Sequence, residues 1–117
     1  MLVEENKELA RKYHNLNPDD VESLLTPDFV GYHPDGSTWK RDGHKQFWSN
    51  EENRGIKDII HVQVAEGDWV ATRFTRTGTY QGKHFSLDMM AFKRFEDGKI
   101  VEAWEQYDRS RLEEEEE

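Results

Sequence analysis

Residues 57–108 read KDIIHVQVAEGDWVATRFTRTGTYQGKHFSLDMMAFKRFEDGKIVEAWEQYD and decide the fold. Apolar and polar residues alternate along much of this stretch, which is the period of a β-strand with one buried face. Three turn sequences divide it: Glu66-Gly67-Asp68, Gln81-Gly82-Lys83 and Asp97-Gly98. Gly beside Asp or Gln is typical of tight hairpin connections. The pattern therefore predicts four antiparallel strands, the first with Ile60, Val62 and Val64 on one face.

The residues before this stretch have helical periodicity. Apolar residues three and four apart predict an amphipathic helix over Glu4–Leu16. Asn17 followed by Pro18 is typical of a helix start, and predicts a short second helix that ends before Thr26-Pro27-Asp28. We expect a short strand over Phe29–His33 and a third helix from Asp42-Gly43 onward. Helices first and antiparallel strands afterwards predict an α+β domain in which a curved sheet covers the helices.

The chain has 117 residues, which suits one domain. Hydrophobic residues make up 34 % and aromatic residues 12 % of it, enough aromatic content for a folded core. The formal net charge of −9 disfavours nucleic acid as a partner, because an acidic surface repels phosphates. Five consecutive Glu residues end the chain, so we expect a domain over residues 1–112 and a disordered acidic tail over residues 113–117.

The absence of cysteine excludes disulfides, thiolate catalysis and Cys-based metal sites. No apolar run approaches the length of a signal peptide core or a membrane span, so no membrane partner is expected and the working assumption is a cytoplasmic protein. We find no Gly-rich phosphate loop and no metal-binding spacing, and expect neither a cofactor nor a metal.

Five segments, taken in order, carry a resemblance to a known family: Phe29-Val30-x-x-His33-Pro34, Arg41-Asp42-Gly43, Ala65-Glu66-Gly67-Asp68-x-Val70-Ala71-x-Arg73-Phe74, Gly78-Thr79-x-x-Gly82, and Phe95-x-Asp97-Gly98-Lys99-Ile100-Val101-Glu102-x-Trp104-x-x-x-Asp108. Their order and spacing resemble the SnoaL-like polyketide cyclase branch of the NTF2-like superfamily, from about Asn6 to Asp108. The resemblance implies a cone-shaped half-barrel with a concave, mostly apolar pocket. Members include cyclases, isomerase-like and epoxide hydrolase-like enzymes, and non-catalytic binding domains, so fold alone does not decide the function.

Asp108 is the first candidate catalytic residue, because the resemblance places it where related cyclases carry an acid/base Asp. Strand alternation puts Asp108 on the same face as Trp104. If Trp104 lines the pocket, the neighbouring carboxyl is desolvated and its pKa rises toward neutrality. The alternative is that Asp108 caps a strand end or pairs with Arg109 or Arg111.

Asp88 is a second candidate catalytic carboxylate, on the strand before. Met90 and Phe92 share its face, and a carboxylate among apolar neighbours is costly unless it is paired or functional. Two carboxylates on neighbouring strands could divide acid and base roles. The alternative is a salt bridge from Asp88 to Arg76 or Arg73.

His33 and Arg76 are candidates for binding or polarising a substrate carbonyl. His33 ends the first strand, near the expected pocket mouth, and titrates in the range that proton transfer needs. Relatives tend to carry an apolar residue in place of Arg76, so an inward Arg76 would indicate an anionic or enolate ligand, or a fixed partner for Asp88 or Asp108. The alternatives are a turn residue for His33 and an ordinary outward strand charge for Arg76. Tyr32, Trp104, Met90 and Phe92 complete the expected substrate-binding set.

The remaining histidines and tryptophans have weaker assignments. We expect His14 and His44, on predicted helices, to be surface or interface groups. Alternation does not say whether His61 and His84 face the pocket. The other three tryptophans are expected in the core or an interface: Trp39, Trp48 and Trp69.

These observations predict a cofactor-independent acid–base enzyme, a cyclase or isomerase acting on a hydrophobic carbonyl compound. Epoxide hydrolysis is a weaker option, because Arg76, Asp88 and Asp108 supply an Asp–Arg–Asp set whose spacing does not match. The alternative is a non-catalytic binding or scaffold domain, natural or engineered as a host. Both faces of the strands carry apolar residues, which predicts a homodimer.

Overall fold

The computed structural model describes residues 2–53 and 55–107. Within these ranges the chain forms three α-helices: α1 (Leu2–Tyr13), α2 (Val21–Leu24) and α3 (Arg41–Ser49). It also forms six strands: β1 (Leu25–Tyr32), β2 (Thr38–Lys40), β3 (Lys57–Glu66), β4 (Trp69–Tyr80), β5 (Lys83–Glu96) and β6 (Lys99–Tyr107). Short 3₁₀ turns cover Pro18–Asp20 and Glu51–Asn53. The acidic tail and Asp108 lie outside the described residues.

The six strands form one curved mixed sheet in the order β2-β1-β6-β5-β4-β3. Strands β3 to β6 are the predicted antiparallel meander, and the α+β fold class is confirmed. Gly67, Gly82 and Gly98 have positive φ in the three predicted turns. The parallel pairing of β1 with β6 was not predicted, because alternation within a strand does not identify a distant partner.

The helices pack on one face of this sheet, which we call the inner face. Helix α1 packs against β3 and β4, and α3 against β1 and β2. Tyr13, Phe29 and Ile100 are among the fully enclosed residues of the core between the helices and the sheet. Asn17 caps the Pro18–Asp20 turn as predicted, since its side chain accepts a hydrogen bond from the Asp19 amide.

Two local expectations about the strands are wrong. Thr26-Pro27-Asp28 does not precede the first strand but lies within β1, whose pairing with β6 is irregular between Leu25 and Val30. In β3 the register shifts between Ile60 and Val62. A bulge inserts one residue and reverses the alternation, so Ile60 packs inward while Val62 is exposed on the outer face.

The described helices do not reach the length and apolar character that crossing a bilayer requires.

Gly31 allows α3 to approach β1 closely. A Cβ atom at this position would lie 2.8 Å from Nε2 of His44, a side chain of α3. Gly43 offers a matched contrast on α3, since a Cβ there would meet Trp39 at 3.7 Å, an ordinary van der Waals distance.

We predict that Gly31→Ala lowers the free energy of unfolding by about 1–3 kcal/mol, because overpacking displaces His44. Gly43→Ala should be neutral or stabilising by up to about 1 kcal/mol, since Ala favours a helix over Gly. Urea denaturation of both variants measures the difference. A Gly31→Ala protein as stable as the wild type would contradict the close packing of His44.

Candidate functional site

A small cavity of about 60 Å³ lies between the helices and the inner face of the sheet. Residues from α1, α3, β1–β2, β4 and β6 form its wall: Tyr13, His33, Trp39, His44, Phe47, Trp48, Arg76 and Glu105. Aromatic rings form one side, with Trp39 and Phe47 centred 5.3 Å apart and Phe47 and Trp48 also 5.3 Å apart. The other side carries charged groups. The cavity thus combines apolar walls with a few convergent polar atoms, as ligand sites do.

Arg76 enters the site from β4 and is held by Asp58 of β3. The two residues are directly opposite in the antiparallel register, and both side chains lie on the inner face. Nε donates to Oδ1 at 2.7 Å and Nη2 to Oδ2 at 2.9 Å, a bidentate pair. Burial tends to raise the pKa of Asp58, but the hydrogen bonds from Arg76 and His14 outweigh it and lower that pKa to about 2.

Glu105 of β6 brings a second carboxylate to Arg76. Its side chain is only 4 % exposed, and its Oε2 lies 3.5 Å from Nη2 of Arg76. Its Oε1 lies 3.9 Å from Nδ1 of His33. Burial opposes ionisation of Glu105, yet the charges of Arg76 and Lys93 outweigh it and hold the pKa of this carboxyl below its ordinary value. Glu105 is therefore an ionised, buried carboxylate at neutral pH.

Lys93 and His14 continue the charged cluster behind the cavity wall. Lys93 Nζ donates to Nε2 of His14 at 2.8 Å, and the opposite ring atom, Nδ1, donates to Oδ2 of Asp58 at 2.8 Å. This network assigns His14 the neutral tautomer with its proton on Nδ1. Burial, followed by the nearby charge of Lys93, lowers the pKa of His14 to about 4. Burial lowers the pKa of Lys93 to about 8, and its ammonium also lies 4.6 Å from the centre of the Tyr13 ring.

The charges of this cluster balance. Two carboxylates, Asp58 and Glu105, face two cations, Arg76 and Lys93, and all four side chains are largely or fully buried. An unbalanced buried charge costs several kcal/mol, whereas hydrogen-bonded opposite charges offset most of that cost. Net neutrality is thus a condition for keeping these groups inside so small a domain.

His33 and His44 supply neutral imidazoles to the cavity wall. Burial lowers the pKa of His33, and it lowers the pKa of His44 to about 4. His44 Nε2 lies 3.1 Å from the Tyr13 hydroxyl. Three buried atoms of the cavity wall have no hydrogen-bond partner among the described residues: Nε2 of His33, Nδ1 of His44 and Oε2 of Glu105.

Of the predicted site residues, the structure brings His33 and Arg76 to the cavity. Arg76 points inward, one of the two orientations that the sequence left open, and its carboxylate partners among the described residues are Asp58 and Glu105 rather than Asp88. Asp108, the first candidate base, lies outside the described residues.

Five other predicted residues lie on the outer face of the sheet. Trp104 is 42 % exposed and stacks on Tyr32 with ring centres 3.9 Å apart. Met90 and Phe92 are 60 % and 53 % exposed. Asp88 is exposed too, and accepts a hydrogen bond from Thr75 at 2.9 Å. The assignment of Trp104 to the pocket face is therefore wrong. In β6 the other face of the strand, which carries Ala103 and Glu105, points inward.

The expectation for His14 and His44 is also wrong, since both are almost fully buried. His14 directly follows α1 and hydrogen-bonds Asp58, and His44 lies on α3 with its Nε2 beside the Tyr13 hydroxyl. Glu105 was missed because Trp104, its neighbour, looked like the apolar residue that should point inward. The apolar residues Val101 and Ala103 on the Glu105 face were the signal for the opposite choice.

No three His, Cys, Asp or Glu side chains within residues 2–53 and 55–107 cluster so that they could hold a metal ion. The polar groups of the cavity can donate and accept hydrogen bonds.

A family model, SnoaL-like polyketide cyclase, matches residues 6–115. The chain belongs to this family. No curated protein matches it. Among solved structures it is similar to wild-type IdmH from Streptomyces antibioticus, with a TM-score of 0.76, 22 % identity, and coverage of 94 % of this chain and 96 % of IdmH.

Two further structures share the fold. TerC, co-crystallized with polyporic acid, has a TM-score of 0.77 and 22 % identity, and the match covers 97 % of this chain and 99 % of TerC. An NTF2-like protein of unknown function from Burkholderia pseudomallei K96243 has a TM-score of 0.76 and 19 % identity, covering 92 % and 94 % of the two chains. Family and fold together support a small-molecule-binding NTF2-like domain.

Proposed function

We propose that this SnoaL-like protein is a cofactor-independent acid–base enzyme that moves a proton on the carbon next to a carbonyl group. One observation carries the proposal: a neutral imidazole, an ionised carboxylate and a guanidinium converge on one small cavity, from His33, Glu105 and Arg76. Removing a proton beside a carbonyl requires a base and a group that stabilises the enolate oxygen. The cavity offers both.

His33 is the base in this scheme. Its lowered pKa leaves the imidazole neutral at pH 7, so that one ring nitrogen can accept a proton. Glu105 lies 3.9 Å from Nδ1, which favours a proton on that nitrogen and leaves Nε2 as the acceptor. The distance is too long for a hydrogen bond, but such contacts commonly shorten when substrate binds. Glu105 also stabilises the imidazolium that forms.

Arg76 stabilises the negative charge that develops on the carbonyl oxygen. A guanidinium is always charged and presents five N–H donors in a fixed plane, of which Asp58 takes two. Because Asp58 holds one edge of the guanidinium through Nε and Nη2, Arg76 does not need to reorganise during the reaction. Preorganised donors of this kind are among the largest contributions to catalysis.

The alternative is a binding domain without turnover. The cavity, at about 60 Å³ against roughly 300–1,000 Å³ for a typical ligand pocket, fits only a small ligand in either case. An acid–base role for Asp108, membership of the lyase or isomerase class, and a cytoplasmic location stay predictions.

Hydrogen–deuterium exchange tests the catalytic proposal. A panel of small neutral ketones, including acetone and hydroxyacetone, is incubated in D₂O with the protein and followed by proton NMR. We expect the wild type to accelerate exchange beside the carbonyl of at least one ketone. His33→Gln should reduce that rate about 100-fold or more, the usual contribution of a general base.

His84→Gln is the matched control, because His84 is exposed on the β4–β5 hairpin, and it should keep the wild-type rate. A ketone that binds without exchange would favour the binding domain. Equal rates for the wild type and His33→Gln would remove His33 from the mechanism.

We also propose that the protein is a homodimer, joined through the outer face of the sheet. One cross-strand row on this face runs through five strands: Val64, Ala71, Phe92, Trp104 and Tyr32. Val64, Phe92 and Trp104 are exposed by 60 %, 53 % and 42 %. A contiguous apolar row of this kind is unfavourable in water and is typical of a protein–protein interface. A two-fold interface would cover the same row in both copies.

Sedimentation equilibrium at micromolar concentration tests the dimer. We expect a species of twice 13.9 kDa for the wild type. Phe92→Arg should shift it to the monomer, because a charge in the centre of the row would be buried unpaired. Glu5→Arg on the exposed side of α1 is the control and should remain dimeric. A wild type that sediments only at 13.9 kDa would contradict the proposal.

A further inference from the structure

The unpaired atoms of the cavity indicate what its ligand must carry. Glu105 and His44 are each 4 % exposed, and within the described part of the chain Oε2 of Glu105 and Nδ1 of His44 find no hydrogen-bond partner. The same holds for Nε2 of His33. A buried polar atom without a hydrogen bond is costly, so a bound molecule that satisfies these atoms gains affinity from them.

The charge balance of the site restricts the ligand to an uncharged molecule. Asp58 and Glu105 already offset Arg76 and Lys93, while His14, His33 and His44 are neutral at pH 7. An anion or a cation would add one uncompensated charge to a buried cluster, at a cost that exceeds most hydrogen-bond gains.

Glu105 and Arg76 together require a donor beside an acceptor. An ionised carboxylate only accepts hydrogen bonds, and a guanidinium only donates them. Oε2 of Glu105 and Nη2 of Arg76 are 3.5 Å apart, so a ligand that contacts both must carry its donor and its acceptor on neighbouring atoms. A hydroxyl on the carbon next to a carbonyl meets this condition.

The volume of the cavity limits the ligand to a few atoms. About 60 Å³ is less than half of the roughly 150 Å³ cavity that accommodates benzene. A molecule of about four to six non-hydrogen atoms is the appropriate scale, and a longer one would extend beyond the cavity. The part of the ligand that lies inside the cavity is therefore small, whatever the size of the part outside.

We propose that the cavity recognises a small, uncharged α-hydroxy carbonyl group, with the hydroxyl donating to Glu105 and the carbonyl oxygen accepting from Arg76. This inference rests on the proposed acid–base function and names its substrate class. His33 removes the proton from the carbon that bears the hydroxyl. The C–H electron pair forms the carbon–carbon double bond of an enediolate, and the carbonyl π electrons move to the oxygen beside Arg76.

The reaction that follows is an isomerisation. Glu105 transfers the hydroxyl proton to the enediolate oxygen beside Arg76, and the imidazolium of His33 returns its proton to the former carbonyl carbon. The hydroxyl and carbonyl have then exchanged places. Both protons return to the product, so the step needs no oxidant, reductant or co-reactant.

Binding of five small probes to the wild type tests the proposal, with the indole signals of Trp39 and Trp48 as an NMR readout. Hydroxyacetone has the donor and the acceptor, acetone lacks the donor, methoxyacetone blocks it, and glycolate is charged. Acetamide carries a donor beside a carbonyl but no hydroxyl. We expect hydroxyacetone to bind about tenfold or more tightly than each of the others, because a hydrogen bond to a buried charge is at stake.

Glu105→Gln should remove most of the preference for hydroxyacetone over acetone. Glu96→Gln is the matched control, since its side chain is 57 % exposed at the end of β5, and it should keep the preference. If Glu105→Gln does not fold, the ranking of the five probes on the wild type decides alone. Equal affinity for acetone and hydroxyacetone, or tighter binding of glycolate or acetamide, would overturn the proposal.

The exchange experiment and the binding experiment test the two proposals independently. Selective binding of hydroxyacetone without hydrogen–deuterium exchange would uphold the ligand class and reject the catalytic function. Exchange that is equally fast for acetone and hydroxyacetone would uphold the catalytic function and reject the ligand class.

Discussion

The bidentate pair between Arg76 and Asp58 determines the arrangement of the other charged groups inside this protein. It joins β3 to β4 on the inner face, where hydrophobic residues would ordinarily close the core. Breaking a buried pair by removing one partner typically costs about 3–5 kcal/mol, because the other charge stays buried alone. The fold therefore fixes the position of Arg76, and its guanidinium stays at the cavity.

The rest of the cluster follows from that constraint. Asp58 compensates Arg76 but also accepts a hydrogen bond from His14, whose other nitrogen accepts one from Lys93. Lys93 adds a second positive charge, and Glu105 supplies the second negative one. The outcome is a neutral cluster with one incompletely bonded carboxylate facing the cavity, which is the group that can respond to a ligand. Asp58 holds Arg76 in place, and in the proposed mechanism Glu105 contacts the ligand.

Much of the fold could be predicted from the sequence, because it depends on local signals. Alternation identified β3 to β6, glycines marked their turns, and Asn17 marked a helical start. The pairing of β1 with β6 could not be predicted, since it joins residues 25–32 to residues 100–104 and leaves no local pattern. The bulge after Ile60 could not be predicted for a similar reason, because apolar and polar residues still alternate across it in the sequence.

The site was harder to predict because its charged residues lie where apolar residues are expected. Alternation divides β6 into two faces but does not say which is inside, and the large ring of Trp104 favoured the wrong one. Trp104 is instead on the outer face, where it stacks on Tyr32. Lys93 and Glu105 interrupt the inner face with charges that are stable only as a group. No single strand contains the whole charged group. The sequence therefore indicated His33 and Arg76 as candidate site residues but not their partners.

Nitrogen-15 NMR of the histidine imidazoles, recorded from pH 7 down to pH 4, tests the central claim that the interior is a balanced cluster with neutral imidazoles. Burial and Lys93 lower the pKa of His14 to about 4, below its ordinary value of about 6.5. The account predicts a neutral His14 ring with its proton on Nδ1 at pH 7, and the same neutral form still predominant at pH 5. An imidazolium at pH 7, or protonation centred near pH 6.5, would contradict it, because the cluster would then carry a net positive charge.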